Sequence, residues 1–150
     1  MKVAVLLNEN QKSADFWLKA ADHHGVELEL IDLFSEQWLE TLHNSQSQLF
    51  LTCPSGVTSI AKTFYDERVQ IVAEVLKKKI YPNLLEIKLH ENKRYLSYWL
   101  ETQKIPHPKT WVFLRQAEAL DFSNTITLPV VGKLSIGASG QNVKIGRAHV

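Results

Sequence analysis

The sequence holds one cysteine, Cys53, among 150 residues. That excludes an internal disulfide framework and a cysteine-built zinc site, and it fits a reducing cytoplasm. No apolar run reaches the roughly 20 residues that a helix needs to cross a bilayer. A surplus of charge is missing too. Lys and Arg number 17 against 16 Asp and Glu, a net charge of +1, so nucleic acid and anionic membranes find no electrostatic handle. The N-terminal "MKVAVLLNENQKSADF" lacks a small-residue cleavage site after its apolar run, and it is read as part of the fold, not as a signal peptide. Glycine is scarce after the first apolar run, where "NENQKS" (8–13) has none. A dinucleotide-binding fingerprint at that turn is thereby excluded.

What is present is an ordinary globular balance, 45% hydrophobic and 22% charged, in a chain long enough to bury a core. "KVAVLLN" (2–8) reads as a strand buried on both faces. In "SADFWLKAADHHG" (13–25), Ala14, Trp17, Leu18 and Ala21 share a helical face, Ser13 suits the cap and Gly25 the end. "VELELIDL" (26–33) is a second strand, "SEQWLETLHN" (35–44) a short helix, and "SQLFLTCPSG" (47–56) a third strand with its turn. From Thr58 to about Lys79, Phe64 or Tyr65, Val69, Val72 and Leu76 recur at helical spacing. Strands alternating with helices predict an α/β fold with a parallel sheet covered on both faces.

"YPNLLEIKLHENK" (81–93) is read as a connection, and a boundary is placed near residue 90. A helix is expected over 92–104 with Leu96, Trp99 and Leu100 on its buried side, a strand over 105–114, a brief helix over 115–122, and a strand over 128–136. Lys133 stands alone in that last apolar strand, where buried neighbours would leave it needing an anionic partner or a route to water. An exposed edge-strand lysine is the alternative. The loop "SIGASGQN" (135–142) follows, with Gly137 and Gly140 free to turn backbone N–H groups toward one point. Such a nest suits phosphate, although the same residues suit a plain hairpin turn. Lys93 falls in the first turn of its helix, where the macrodipole disfavours a cation unless an anion is bound there.

A P-loop is excluded because the lysine precedes the loop. A protein-kinase glycine loop is excluded because its lysine lies downstream. His23 and His24 suit a helix C-terminus better than a metal. Cys53 suits small packing, and Asp66, Glu67 and Arg68 read as a solvated face or local ion pairs. "NEN" (8–10) and "CPSG" (53–56) follow strand ends, where α/β sheets bind ligands, so they are candidates for contact with a second substrate.

Taken in order, "ENKRYLSYWL", "KIPHPKTWVF", "LPVVGK" and "SIGASGQNV" resemble the ATP-grasp superfamily, close to its RimK-like members. The specific signals span 91–145, and 1–90 matches only in its α/β pattern. The resemblance implies a pre-ATP-grasp α/β domain over 1–90 and the start of an incomplete α+β ATP-grasp subdomain over 91–145. It implies that Lys93 and Lys133 contact ATP phosphates and that Ser135, Gly137, Ala138, Ser139 and Gly140 close over them as a flap. It implies an ATP-dependent ligase that activates a carboxylate as an acyl phosphate for attack by an amine-type nucleophile. The partners would be ATP, Mg²⁺ and a small-molecule or peptide carboxylate, and the parent could be a homodimer. The magnesium ligands and adenine contacts would come from a second half that does not follow residue 145, so this chain alone is expected to be inactive. "IGRAHV" (145–150) resembles the translation of a short-read sequencing adaptor, and Gly146–Val150 are set aside from fold reasoning. The competing reading is a small flavodoxin-like or receiver-like binding module without catalysis, resting on the first 80 residues. It leaves Lys93 and the glycine loop unexplained.

Overall fold

The computed structural model describes residues 1–137 and, for the backbone, 143–146. The chain divides into two compact units, Met1–His90 and Glu91–Val150. The first is α/β. Strands β1 (Lys2–Leu7), β2 (Glu27–Asp32), β3 (Leu49–Thr52) and β4 (Ile80–Tyr81) form one sheet in the order β2-β1-β3-β4. All its pairings are parallel, with Val5 opposite Leu30 on one side and Leu51 on the other. The connections run through α1 (Ala14–His23), α2 (Trp38–Asn44) and α3 (Ser59–Gln70), which a single π-type segment, Ile71–Val75, prolongs.

The apolar run of β1 is buried from Val3 to Leu7, as a central strand with two covered faces requires. Ala4 and Leu6 join Ile31, Leu33, Leu42, Phe50, Tyr65, Val69, Val72 and Ile87 in one core. Truncating such a leucine to alanine typically costs about 2–5 kcal/mol. On α3 the buried face carries Tyr65, not the exposed Phe64. Lys62 occupies the same face, three residues before Tyr65, and is buried with it. β2 lies at the sheet edge. Its Glu29 accepts hydrogen bonds from Ser45 Oγ at 2.6 Å and Ser47 Oγ at 3.0 Å. Lys2 Nζ lies 3.6 Å from Glu27 and 4.0 Å from Glu29.

Several local expectations are corrected. Ser13 makes no side-chain cap for α1. It ends a 3₁₀ turn, Gln11–Ser13, whose own cap is Asn10. On α1, Ala14, Trp17 and Ala21 are half-buried, but Leu18 is exposed. The supposed connection after residue 81 holds α4 (Leu84–Leu89), started by a capping box in which Asn83 and Glu86 satisfy each other's backbone N–H groups. α4 sends Ile87 into the core.

In the second unit, α5 (Lys93–Thr102) starts at a cap made by Asn92, whose side chain accepts from Tyr95 N. Ser97 is its buried residue, Trp99 and Leu100 are half-buried, and Leu96 is exposed. Residues 105–114 form no strand. Trp111 and Phe113 instead pack on Phe122 of α6 (Gln116–Ser123), each with ring centroids 5.0 Å away. β5 (Val130–Lys133) pairs antiparallel with β6 (Val143–Gly146). β6 takes in Gly146, opposite Val130, a residue the sequence reading set aside. The neighbours of Lys133 are not buried as expected. Val131 is 55% and Leu134 59% exposed, so the strand offers its apolar side chains to the surface.

Candidate functional site

The start of α5 and the segment entering the glycine loop are held together. Asn92 and Ile136 form an antiparallel bridge. Lys93 N donates to Ser135 O at 2.8 Å. Ser135 Oγ donates to Asn92 Oδ1 at 3.2 Å, the same oxygen that caps Tyr95 N at 3.1 Å. The Lys93 ammonium donates to the carbonyl of Gly137, 44 residues away in sequence. It also lies 3.2 Å from Glu91 Oε2, each side chain about one-third exposed or less (32% and 29%). Gly137 has φ +152, a region that side chains disfavour, and it is buried. Of the sequence candidates, Lys93, Ser135 and Gly137 thus come together. Lys133 ends β5 exposed and makes no ion pair or side-chain hydrogen bond with another of the described residues. Ala138, Ser139 and Gly140 lie outside the described residues.

A lysine at a helix start beside a carbonyl and one carboxylate can exchange those partners for phosphate oxygens, because ammonium offers three donors in any direction. Glu91, which sequence reasoning did not single out, is the acidic member of this group. Its signal was its place two residues before Lys93. The residues present would therefore suit one phosphate-contacting cation. Among the described residues no cluster of His, Cys, Asp and Glu could hold a metal ion. No helix among them is long and apolar enough to cross a membrane.

In the first unit, the loops "NEN" and "CPSG" meet at the carboxyl ends of β1 and β3. β1 is flanked by β2 on one side and β3 on the other, which makes this the topological switch point of the sheet. Ser55, buried, donates to Glu9 Oε1 at 2.7 Å, and Asn8 Nδ2 reaches Pro54 O at 3.4 Å. Tyr65 ties the ends of β1 and β3 together. Its hydroxyl donates to Leu6 O at 2.8 Å and accepts from Cys53 N at 2.7 Å. Burial holds its phenol well above the ordinary value, so it stays a donor. Burial also pushes the Cys53 thiol up, against hydrogen bonding from Trp17 and Ser13, which makes it a poor nucleophile at neutral pH. Beside Pro54 lies a cavity of about 380 Å³, lined also by Tyr81, Pro82, Glu86, Ile87 and His90. The sequence reading saw only a connection there.

The last cluster is structural. Lys62, 2% exposed, binds both oxygens of Asp66, at 2.8 and 3.0 Å, and Ile87 O at 3.0 Å. Asp66 is thus a local ion-pair partner, and Lys62 ties α3 to α4. Arg68 lies over Trp38 at 4.6 Å and Phe64 at 4.0 Å and donates to Ser35 O at 3.2 Å.

No family model matches the sequence, and no curated protein matches it. Among solved structures, the chain is similar to a RimK-domain ATP-grasp protein from Sphaerobacter thermophilus, with a TM-score of 0.61 at 17% identity. The likeness covers 97% of this chain and 53% of that one. The chain therefore has the fold of a RimK-domain ATP-grasp protein, over about half of that protein's length.

Proposed function

We propose that this chain is the N-terminal part of an ATP-dependent ligase. Residues 1–90 would be its pre-ATP-grasp domain and 91–145 the start of its nucleotide-binding subdomain. The parent would activate a small-molecule or peptide carboxylate as an acyl phosphate, which an amine-type nucleophile then attacks with loss of phosphate. The observation that carries this reading is the joining of Lys93 to Ser135 and Gly137, on a fold shared with an ATP-grasp protein. ATP would supply the phosphoryl group, and Mg²⁺, with ligands from outside this chain, would share its charge.

This chain's own part is electrostatic. Lys93 and Lys133 would place ammonium groups against phosphate oxygens, and backbone N–H groups of 135–140 would cover them. Lys133 ends a strand two residues before Ser135, whose carbonyl accepts from Lys93 N, so both lysines would serve one phosphate group. The loops around Glu9 and Ser55 would meet the second substrate, and the setting would be cytoplasmic. A binding module without catalysis accounts for the first unit but gives the Lys93–Gly137 contact no purpose.

ATP titrations with and without Mg²⁺ test this. In the parent, Lys133→Ala should weaken ATP by about 10-fold or more, the worth of one charge-assisted contact, and abolish phosphoryl transfer. The 150-residue chain should bind ATP weakly. Unchanged affinity in the parent's Lys133→Ala variant refutes the phosphate assignment. Tight, Mg²⁺-dependent binding by the short chain refutes the missing half-site.

A further inference from the structure

A lysine that waits for phosphate has to be held by something when phosphate is absent. Here the holder is intrinsic. The Lys93 ammonium has the Glu91 carboxylate at 3.2 Å and the Gly137 carbonyl as partners. Glu91 sits at φ +49, the left-handed region that a non-glycine residue rarely occupies. It directly precedes the cap Asn92, so its carboxylate lies at the positive end of α5, where an anion is favoured. Both side chains are partly exposed, so water and solutes reach the pair. An ion pair of this exposure is weak enough to be replaced. A polyphosphate brings more charge and more acceptors to the same ammonium.

We propose that Glu91 is a built-in counter-ion that competes with nucleotide phosphate for Lys93. Displacing it leaves the ammonium with the Gly137 carbonyl as one partner and opens its remaining donors to phosphate oxygens. The proposal rests on the reading of Lys93 as a phosphate contact. It goes beyond that reading by assigning Glu91 a role in setting nucleotide affinity.

The test uses this chain, with ATP and, separately, inorganic tripolyphosphate, which isolates the phosphate contribution from adenine. The Lys93 side-chain nitrogen and the Gly137 amide are followed by NMR at millimolar ligand, where weak binding is still read. Glu91→Gln keeps the size and removes the charge. It should move the Lys93 nitrogen resonance without ligand and tighten both ligands by about 2- to 10-fold, the worth of one exposed charge pair and its repulsion of phosphate. On a Lys93→Ala background, Glu91→Gln should change affinity less than twofold, because the competition has been removed. An unmoved Lys93 resonance, or affinity that stays equal or falls in Glu91→Gln while Lys93→Ala weakens binding, overturns the counter-ion and leaves the Lys93 reading intact. Equal affinity in Lys93→Ala and the wild type, or no shift at Lys93 with either ligand, overturns both.

Discussion

Replacing Lys62 by methionine keeps the aliphatic stem and removes the ammonium that binds Asp66 and Ile87 O. The Lys62 side chain is 2% and that of Asp66 19% exposed, so water replaces the lost partner only at the carboxylate's rim. Breaking a buried pair by deleting one member costs about 3–5 kcal/mol. Partial access of Asp66 to water argues for about 3 kcal/mol, a large share of the roughly 5–15 kcal/mol typical of a domain. With a urea slope of about 1.5 kcal/mol/M, the midpoint should fall by about 2 M at pH 7. The deficit should also depend on pH. Desolvation raises the Asp66 pKa in the folded protein, while hydrogen bonding and Coulomb attraction from Lys62 lower it. Without Lys62 the carboxyl rises further. A carboxyl raised on folding contributes stability below its unfolded pKa and loses it as pH climbs through the folded one. The variant's deficit should therefore shrink as pH falls through the folded pKa of Asp66 toward its unfolded value. Lys62→Met/Asp66→Leu should recover most of the loss, because no unpaired charge remains. A single-variant loss below about 0.5 kcal/mol, or one that grows on acidification, refutes the reasoning.

Two further outcomes follow from the same packing. Tyr65→Phe removes the hydroxyl that joins Leu6 O and Cys53 N. Since Cys53 N keeps Leu6 O at 3.3 Å, the loss in urea unfolding should be about 1–3 kcal/mol. By hydrogen exchange, amides of 130–133 should exchange much faster than those of 3–7, because β5 is open to solvent and β1 is buried on both faces. Equal protection would falsify that contrast.

The central strands were legible because burial on both faces leaves an unbroken apolar run, as in residues 3–7. The helix at 59–70 was legible by its spacing, yet Lys62 was not. It lies on the stripe that Tyr65, Val69 and Val72 define, and a lysine there reads as solvated until Asp66, four residues on, is seen as its partner. α4 is not legible although Asn83 and Glu86 carry a capping-box spacing, because Pro82 directly before the cap gives the segment the look of a linker. Residues 105–114 have the aromatic and β-branched composition of a strand, but strand propensity needs a ladder, and their aromatics found α6 instead. At the candidate site, Lys93 was legible as an oddity at a helix start. Its attachment to Gly137 across 44 residues is a product of the fold, which no local spacing encodes.

The edge strand β2 carries a consequence for how copies of this protein behave when crowded. An open strand edge of six residues is a template on which another chain can add. β2 places Glu27, Glu29 and Asp32 along that edge, and Glu29 is anchored inward by two serines. A second β2 laid alongside would bring carboxylates against carboxylates, and pulling Glu29 outward would break both serine bonds. The opposite edge, β4, is only Ile80–Tyr81 and is followed by a proline that has no N–H to extend a ladder. Both edges of the sheet are thus guarded against runaway strand addition, one by like charge and the other by brevity.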